Sequence, residues 1–514
     1  MKDDAISRRN FVKTLARAVG PATAMLSLPS SASLWSSPSR PGESSKKNPP
    51  NIIFILADDM GYGDPQCLNP KSKIPTPNMD RLASEGMLFT DAHSPTAVCT
   101  PTRYGILTGR YCWRSRLKKW VLLPWDKRLI EPGRLTVASL LKEHGYQTAC
   151  IGKWHLGVDY QKDDKGNWDF AKPILDGPNT VGFDYYFGMT GSANYPPYCF
   201  VENDHTVGIP SIPIPAWMYG TPGPMLPGWS QEEVLPTLTK KAVQYINEQA
   251  EHPSERPFFL YFPLTAPHTP IVPSRAFQGS TKAGPYGDFV AEVDWAIGEV
   301  LKTLDQRHLT DNTLVIVTSD NGSPGRASSW APPYTEVHAY GHNPSGPWRG
   351  VKADVWDGGH RIPFMARWPR KIHAGSVCND TICLTDFMAT CADIVGARLP
   401  ENAGEDSYDL MPLLAGKVLG KPLREATVHH SGDGIFAVRQ KPWKVVFGRG
   451  SGGFTQPMRV VPGPNEPKGQ LYNLAVDPQE KQNVWDQHPE VVKRLRELLE
   501  KYERDGRSAP IRGL

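Results

Sequence analysis

A cysteine stands four residues ahead of an arginine, with a proline between them, at Cys99-Thr100-Pro101-Thr102-Arg103, and the stretch runs on to Leu107-Thr108-Gly109-Arg110. Two further pairs of oxygen donors close apolar runs, Asp58-Asp59 and Asp320-Asn321. Three carboxylates and one amide oxygen make a hard, all-oxygen set, which suits calcium or magnesium and not zinc. One such pair alone reads most simply as a cap on the following turn or helix; two pairs at two strand ends favour a cation. Lys153 and His155 occupy alternate positions, which on a strand share a face. His268 follows another apolar run and precedes Pro270, and Lys352 lies among Arg349 and Arg361. Taken singly, a lysine is most often a solvated charge and a histidine often a satisfied core group. Together they could bind an anionic ester and move protons near neutral pH.

Something must bring these positions together. Four segments share one design, an apolar run that ends in polar residues: Ile52 to Leu56 before Asp58-Asp59, Thr148 to Ile151 before Lys153-Trp154-His155, Phe258 to Phe262 before His268, and Leu314 to Val317 before Asp320-Asn321. Continuous apolar runs rich in β-branched and aromatic residues predict strands buried on both faces. Between them, Leu135 to His144 reads as a helix stopped by Gly145, and Phe289, Val293, Ile297, Val300 and Leu304 recur at helical spacing. Alternating strands and helices predict an α/β fold with a large, mainly parallel (mixed) sheet flanked by helices. Ligands in such folds bind beyond the carboxyl ends of the strands, where these polar residues fall. Adjacent strand residues point to opposite faces, so Asp58 and Asp59 converge only if the strand ends there, before Gly61 and Gly63. After about Pro400 short strand patterns follow, at Thr427 to His430, Gly434 to Arg439, Trp443 to Phe447 and Leu471 to Leu474, and then a charged amphipathic helix from Val491 to Tyr502. They predict a smaller C-terminal α+β domain built on an antiparallel sheet.

At Cys99 to Arg103 the chain resembles the sulfatase family, whose signature is C-x-P-x-R followed by a distal T-G-R. Further blocks match in the family's order: Asn51 to Gly61, Gly152-Lys153-Trp154-His155-Leu156-Gly157, Pro267-His268-Thr269-Pro270, Ser319-Asp320-Asn321-Gly322, Gly346 to Lys352 with Asp357-Gly358-Gly359, and Leu471-Tyr472-Asn473-Leu474 with Asp477-Pro478 and Glu480. The resemblance spans the chain from about Pro49 to the Leu471 to Asn483 stretch. It implies that a separate maturation enzyme, of the formylglycine-generating or radical type, oxidises Cys99 to formylglycine (3-oxoalanine). It also implies one calcium, less readily magnesium, held by Asp58, Asp59, Asp320, Asn321 and the residue made from Cys99. A hydrated aldehyde has two hydroxyls, one to attack sulfur and one whose deprotonation expels sulfate, whereas a serine would be left as a stable ester. By the same resemblance Arg103 holds the hydrate, His155 takes a proton, Lys153 and Lys352 bind sulfate oxygens and His268 protonates the leaving alkoxide. Ser192 aligns with a family serine that supports His155 or the aldehyde. Thr102 stands where serine or alanine is commoner, and Asp357 where glutamate is.

The stretch Asn194-Tyr195-Pro196-Pro197-Tyr198 with Glu202 to His205 is similar to the arylsulfatase A and N-acetylgalactosamine-6-sulfatase branch, which implies a sulfated carbohydrate as substrate. Loop packing is the plainer reading of the same residues. His205, Arg275 and His342 are further expected substrate contacts. Rival readings are a phosphodiesterase or phosphonate hydrolase of the same superfamily, and an inactive carbohydrate-binding relative. A monoanionic ester needs few neutralising charges, so Lys153, His155 and Lys352 favour sulfate, and retention of every polar group favours activity.

The 514 residues carry a net charge of only +4, which gives no case for a nucleic-acid partner. Eight cysteines without a CxxC pair make neither a disulfide scaffold nor a zinc knuckle. Ser7-Arg8-Arg9-Asn10-Phe11-Val12-Lys13 is a twin-arginine pattern, followed by a modest apolar run from Leu15 to about Leu28 and small residues at Ser30 to Ser33. The run is too short and weak for a stable membrane span, so the reading is export through the twin-arginine translocase to the periplasm or beyond. The expected organisation is a signal peptide over 1–33, a linker over 34–48, a catalytic domain over 49–400 and a C-terminal subdomain over 401–514.

Overall fold

The structure is a computed structural model that describes residues 49–251, 256–325 and 336–511. The twin-arginine pattern, the signal peptide and the linker lie outside the described residues. Among the described residues no helix is long and apolar enough to cross a membrane.

Ten strands form the main sheet: β1 (Asn51–Ala57), β2 (Met87–Phe89), β3 (Gln147–Lys153), β4 (Tyr185–Met189), β5 (Val201–Glu202), β6 (His205–Thr206), β7 (Phe258–Pro263), β8 (Thr313–Ser319), β9 (Phe364–Arg367) and β10 (Ser376–Cys378), in the order β10-β2-β9-β8-β1-β7-β3-β4-β5-β6. The central run β8-β1-β7-β3-β4 is parallel, and antiparallel pairings flank it on both sides. The four apolar runs are therefore four adjacent central strands, so their polar ends lie side by side.

The unbroken apolar character of β1 has a direct cause. Ile52, Phe54 and Leu56 belong to one core layer, with Val137, Leu140 and Leu141 of α3 (Val137–Glu143) and Phe387 and Met388 of α6 (Phe387–Val395). Ile53, Ile55 and Ala57 belong to the opposite layer, with residues of α1 (Pro77–Glu85), α4 (Val234–Glu251) and α5 (Gly284–Gln306). Each face has its own cover, so neither parity can be polar. The spaced residues Phe289 to Leu304 pack in that second layer. Helix α2 (Cys99–Thr108) is buried along its whole length under the first. The sequence places the helix of the Leu135 segment slightly early; it starts at Val137, because Thr136 caps it by accepting from the Ser139 backbone N–H.

The C-terminal strands β11 (Thr427–His430), β12 (Phe436–Gln440), β13 (Trp443–Val446) and β14 (Gln470–Asn473) form an antiparallel sheet in that order. One face packs Val428, Val438 and Val445 on Leu495, Leu498 and Leu499 of α7 (Pro489–Arg504), together with Tyr111 and Trp113 from just beyond α2. The other face packs Ala437, Val446 and Tyr472 on Val355 and Trp356. The described residues from 49 to 511 make one compact unit, and Ala403, Leu410, Leu413 and Leu414 lie in the core of the larger sheet.

Candidate active site

Beyond the carboxyl ends of β1, β3, β7 and β8 the chain brings ten of the expected residues into one buried cluster. Three non-glycine residues there have left-handed backbone: Asp59 at φ +73°, His155 at +55° and Ala353 at +71°. Each such turn costs about 1 kcal/mol or more and persists only where surrounding contacts impose it. At Asp59 the turn breaks strand alternation, so two successive carboxylates face the same space. Its N–H donates to Asp320 Oδ1 at 3.2 Å, and Ser319 Oγ accepts from Met60 N–H at 2.9 Å. The convergence of Lys153 and His155 has the same kind of cause. β3 stops at Lys153, so alternation along a strand is not what aligns them; the reversal at His155 is. Gly152 precedes them at φ +136°, and a Cβ there would stand 1.8 Å from Pro263 O, so only glycine lets β3 and β7 approach this closely.

Cys99 opens α2, with Sγ 3.3 Å from Asp58 Oδ1, 4.0 Å from Asp59 Oδ1 and 3.5 Å from Lys352 Nζ. Arg103, one turn along, donates to Asp320 Oδ2 from Nε and Nη2 at 3.1 and 2.8 Å and to Lys153 O at 2.9 Å. Lys153 Nζ donates to Asp58 Oδ2 at 2.6 Å, and Lys352 Nζ donates to Asp59 Oδ2 at 2.7 Å. Asn321 Nδ2 donates to Asp59 Oδ1 at 2.7 Å, while its Oδ1 has no partner among the described residues. His155 Nε2 meets Leu122 O at 2.9 Å. A carbonyl accepts, so Nε2 carries the proton and Nδ1, which has no partner among the described residues, presents a lone pair. His268 Nδ1 meets Thr269 O at 2.6 Å, which turns Nε2 toward Asp59 Oδ2 at 3.7 Å.

Three carboxylates and three side-chain cations are buried together here. Burial works to raise Asp58, but Lys153, His268, Arg103 and Lys352 hold it well below the usual range. Burial, then Asp58, push Asp320 up to about 7. Burial, then Asp320 and Asp58, push the Cys99 thiol well above its ordinary value. Burial, then Lys153 and Arg103, hold His155 well below the ordinary imidazole value. Burial, then Lys352, lower His268 to about 4.

The oxygens of Asp58, Asp59 and Asn321 fit a hard cation, with Cys99 Sγ and a His268 ring nitrogen beside them. Ligating atoms of Asp58, Asp59, Cys99 and His268 all lie within 4.8 Å of one another, and the orphaned Asn321 Oδ1 adds a neutral oxygen. Asp320 divides its oxygens between Arg103 and the Asp59 N–H.

The four expected substrate contacts separate. Ser192 is buried with its hydroxyl unpartnered among the described residues, two positions after Thr190, whose carbonyl accepts from His155 N–H. Arg275 is exposed on the loop beyond His268. His205 is displaced from the site. β5 runs antiparallel to β4, so its turn into β6 heads for the opposite end of the sheet, where His205 is exposed and paired with Asp204. His342 is buried with Nε2 2.8 Å from Asp64 Oδ1, whose other oxygen accepts from Tyr286 Oη at 2.6 Å; it braces the loop after Asp59 instead of meeting a ligand. In the Asn194 to Tyr198 stretch, Tyr198 is likewise buried, donating to Thr221 O at 2.7 Å. Asp357 pairs with Lys444 and Arg361, away from the cluster.

Sequence reasoning missed Thr100, Ser319 and Leu122. Thr100 Oγ1 donates to His155 O at 2.9 Å and accepts from Leu122 N–H at 3.2 Å. Thr100 and Ser319 sit inside matched blocks and could have been found there. Leu122 acts through its carbonyl, which leaves no side-chain signal.

The sulfatase family profile matches residues 50–397. An N-acetylgalactosamine-6-O-sulfatase of Bacteroides thetaiotaomicron is 36% identical over 497 residues, covering 89% of this chain and 94% of that protein. Human arylsulfatase A is 32% identical, covering 88% and 87%. A solved structure from work on the metabolism of multiple glycosaminoglycans by Bacteroides thetaiotaomicron superposes with a TM-score of 0.77 at 34% identity, covering 88% of this chain and 99% of that one.

Proposed function

The chain belongs to the sulfatase family, and on that premise we propose that it removes sulfate from a sulfated carbohydrate, using a formylglycine made from Cys99 beside one calcium ion. The observation that carries this reading is the setting of Cys99. Its thiol is buried between Asp58 and Lys352 and held protonated by burial and by Asp320 and Asp58. A neutral thiol is a poor nucleophile, so the position makes chemical sense as the precursor of another group. The aldehyde hydrate, once formed, would supply a hydroxyl able to attack sulfur and a second whose deprotonation would let sulfate depart. Asp58, Asp59, Asp320 and Asn321 would hold the calcium, which when bound supplies positive charge to acidify a hydroxyl and polarise a sulfate oxygen.

The remaining steps fall to side chains. Arg103, fixed by Asp320, orients the residue one turn before it. Lys153 and Lys352 neutralise the ester's terminal oxygens. The Nδ1 lone pair of His155 accepts the proton of the second hydroxyl, its tautomer set by Leu122 O. His268 donates to the leaving oxygen. In the free protein burial and Lys352 disfavour its charged form; the negative ester arriving beside Lys352 offsets the second of these. The N-terminal arginine pair supports export to the periplasm or beyond, after folding and maturation in the cytoplasm.

The test combines three measurements. The peptide containing Cys99 should lose the mass that separates a thiol from an aldehyde, and the active protein should contain stoichiometric calcium. Sulfated sugars and aryl sulfates should be hydrolysed in preference to phosphodiesters. His268→Ala should slow a sugar sulfate roughly a hundredfold more than an activated aryl sulfate, whose leaving group needs no proton. An unmodified Cys99 in active protein, stoichiometric zinc without calcium, or a phosphodiester preferred over every sulfate would each sink the reading.

A further inference from the structure

Next to the charged cluster lies a cleft of opposite character. It has a volume of about 300 Å³ and is walled by Pro124, Trp125, Tyr160, Trp168, Phe170 and Pro197 among others, with no charged residue in its lining. Three contacts join it to the catalytic residues. Leu122 O holds His155 Nε2, and the turn that follows, closed by Leu123 N–H donating to Asp126 Oδ2 at 2.7 Å, presents Trp125. Pro124 lies against Gly191, where a Cβ would meet Pro124 Cγ at 2.8 Å, and Ser192 is the next residue. Tyr160 Oη and Thr190 Oγ1 lie 3.0 Å apart, and the Thr190 carbonyl accepts from His155 N–H at 3.1 Å. The cleft is thus continuous with the wall of the pocket that carries His155.

Two tryptophans in this wall remain more than one-third exposed, Trp125 at 37% and Trp168 at 36%. Lys162 stands 4.5 Å over the Trp168 ring and steadies the indole. Apart from the Lys162 ammonium over Trp168, the wall is rings and prolines without charge, which gives a sulfate or carboxylate little to bind. It suits the C–H face of a pyranose, which is apolar, while the hydroxyls at the sugar's rim remain in water.

We propose that this cleft is a sugar-ring subsite, which stacks an uncharged residue adjoining the sulfate-bearing one on Trp125 and Trp168 and so makes the protein act on chains in preference to single sugars. The inference rests on the carbohydrate sulfatase reading and extends it to the chain beyond the ester.

The experiment compares Trp125→Ala and Trp168→Ala with the parent on three substrates: a singly sulfated oligosaccharide whose other sugars are neutral, a sulfated monosaccharide and p-nitrophenyl sulfate. KM for the oligosaccharide should rise about three- to tenfold in each variant, the size of one aromatic contact. Its kcat, and both parameters for the two small substrates, should stay within about twofold of the parent. Trp168→Phe should retain most of the oligosaccharide KM. Equal losses on all three substrates would show a structural role for these rings, and no change on any would empty the cleft; either overturns the proposal. A separate readout keeps the two readings apart. Desulfated oligosaccharide should change the tryptophan fluorescence of the intact protein, and Trp125→Ala should weaken that change. A silent titration from a protein that hydrolyses sulfated monosaccharides defeats the subsite alone. Hydrolysis of aryl sulfate with no sulfated sugar accepted defeats the substrate reading itself.

Discussion

The strand-end cluster sets Asp58, Asp59 and Asp320 against Arg103, Lys153 and Lys352, all buried. A second buried cluster, where the two sheets meet, sets Asp91, Asp357 and Glu480 against Arg361, Arg439 and Lys444. There Lys444 Nζ lies 2.8 Å from both Asp357 Oδ1 and Glu480 Oε1, and Asp91 Oδ1 takes Arg361 at 2.7 Å and Arg439 at 3.0 Å. Three stacked imidazoles fill its centre, with His360 and His93 at 4.3 and 5.0 Å from His429 between ring centroids. Each cluster sets three buried carboxylates against three buried cations, with the half-exposed Lys441 also reaching Asp91 in the second; each holds a carboxyl pushed up to about 7 (Asp320 and Glu480) and contains a left-handed acidic residue (Asp59 and Glu480). Even donor atoms close enough for a metal recur, at His93, Asp357 and His429. Perturbed carboxyls and buried charge therefore do not by themselves mark a reactive centre. What differs is Cys99, placed at a helix start among carboxylates. The second cluster joins the C-terminal sheet to the segment from Ala353 to Arg361, and so fixes the loop that carries Lys352.

The contrast is sharpest in Asp320→Asn. Turnover of sulfate esters should fall by about a thousandfold or more, roughly 4 kcal/mol of transition-state stabilisation, and bound metal should be lost by elemental analysis. Thermal unfolding of the metal-free protein should move less than in a variant that removes a fully ionised partner, because burial and Asp58 already push Asp320 up to about 7 and Asn keeps an oxygen for the Arg103 guanidinium. Metal content and turnover both retained would assign Asp320 to the structural kind of cluster.

Lys444→Met should do the reverse. It leaves Asp357 and Glu480 buried without their shared cation, which costs about 3–5 kcal/mol in chemical denaturation. The protein that still folds should hydrolyse an aryl sulfate within about twofold of the parent rate. A collapse of kcat at unchanged stability would join the two clusters into one functional unit.

A smaller effect concerns pH. Burial, then Arg439, push His93 down to about 4, and burial holds His360 and His429 well below the ordinary imidazole value. Below about pH 6.5 the unfolded chain binds protons that the folded chain refuses, so stability falls with acidification until about pH 4, on the order of 3 kcal/mol for His93. Glu480, raised to about 7 by burial, binds its proton more tightly when folded and gives the opposite slope between about 4.5 and 7. The difference between parent and variant isolates the imidazoles. His429→Phe should flatten the acid side of the stability profile, and identical slopes in parent and variant would show that His429 titrates freely.

Much of this was readable from the chain. The four apolar runs became neighbouring parallel strands because only residues covered on both faces can be apolar at both parities. The C-x-P-x-R block lay on a helix start, and the polar residues after the runs met because parallel strands end on one side. The short strands after Pro400 paired in sequence order, as hairpin-linked segments do. His205 and His342 were misplaced because local sequence does not reveal which way an edge strand runs or which face of a loop is sealed. The wall of the cleft escaped notice for a similar reason: Trp125 and Trp168 belong to separate loops and share no period with each other or with Pro197.

The chain by itself determined the family and the central strands and suggested the donor set at their ends, since residue type and hydrophobic period are local properties that the backbone must satisfy wherever it lies. Tertiary structure alone decided how the donors aim. The left-handed turns at Asp59, His155 and Ala353 exist only because distant segments impose them, through Asp320 on the Asp59 N–H, the Thr190 carbonyl on the His155 N–H and the Ala97 carbonyl on the Ala353 N–H. Each disfavoured turn is held by a contact made far away in sequence, and a local pattern carries no record of such a contact.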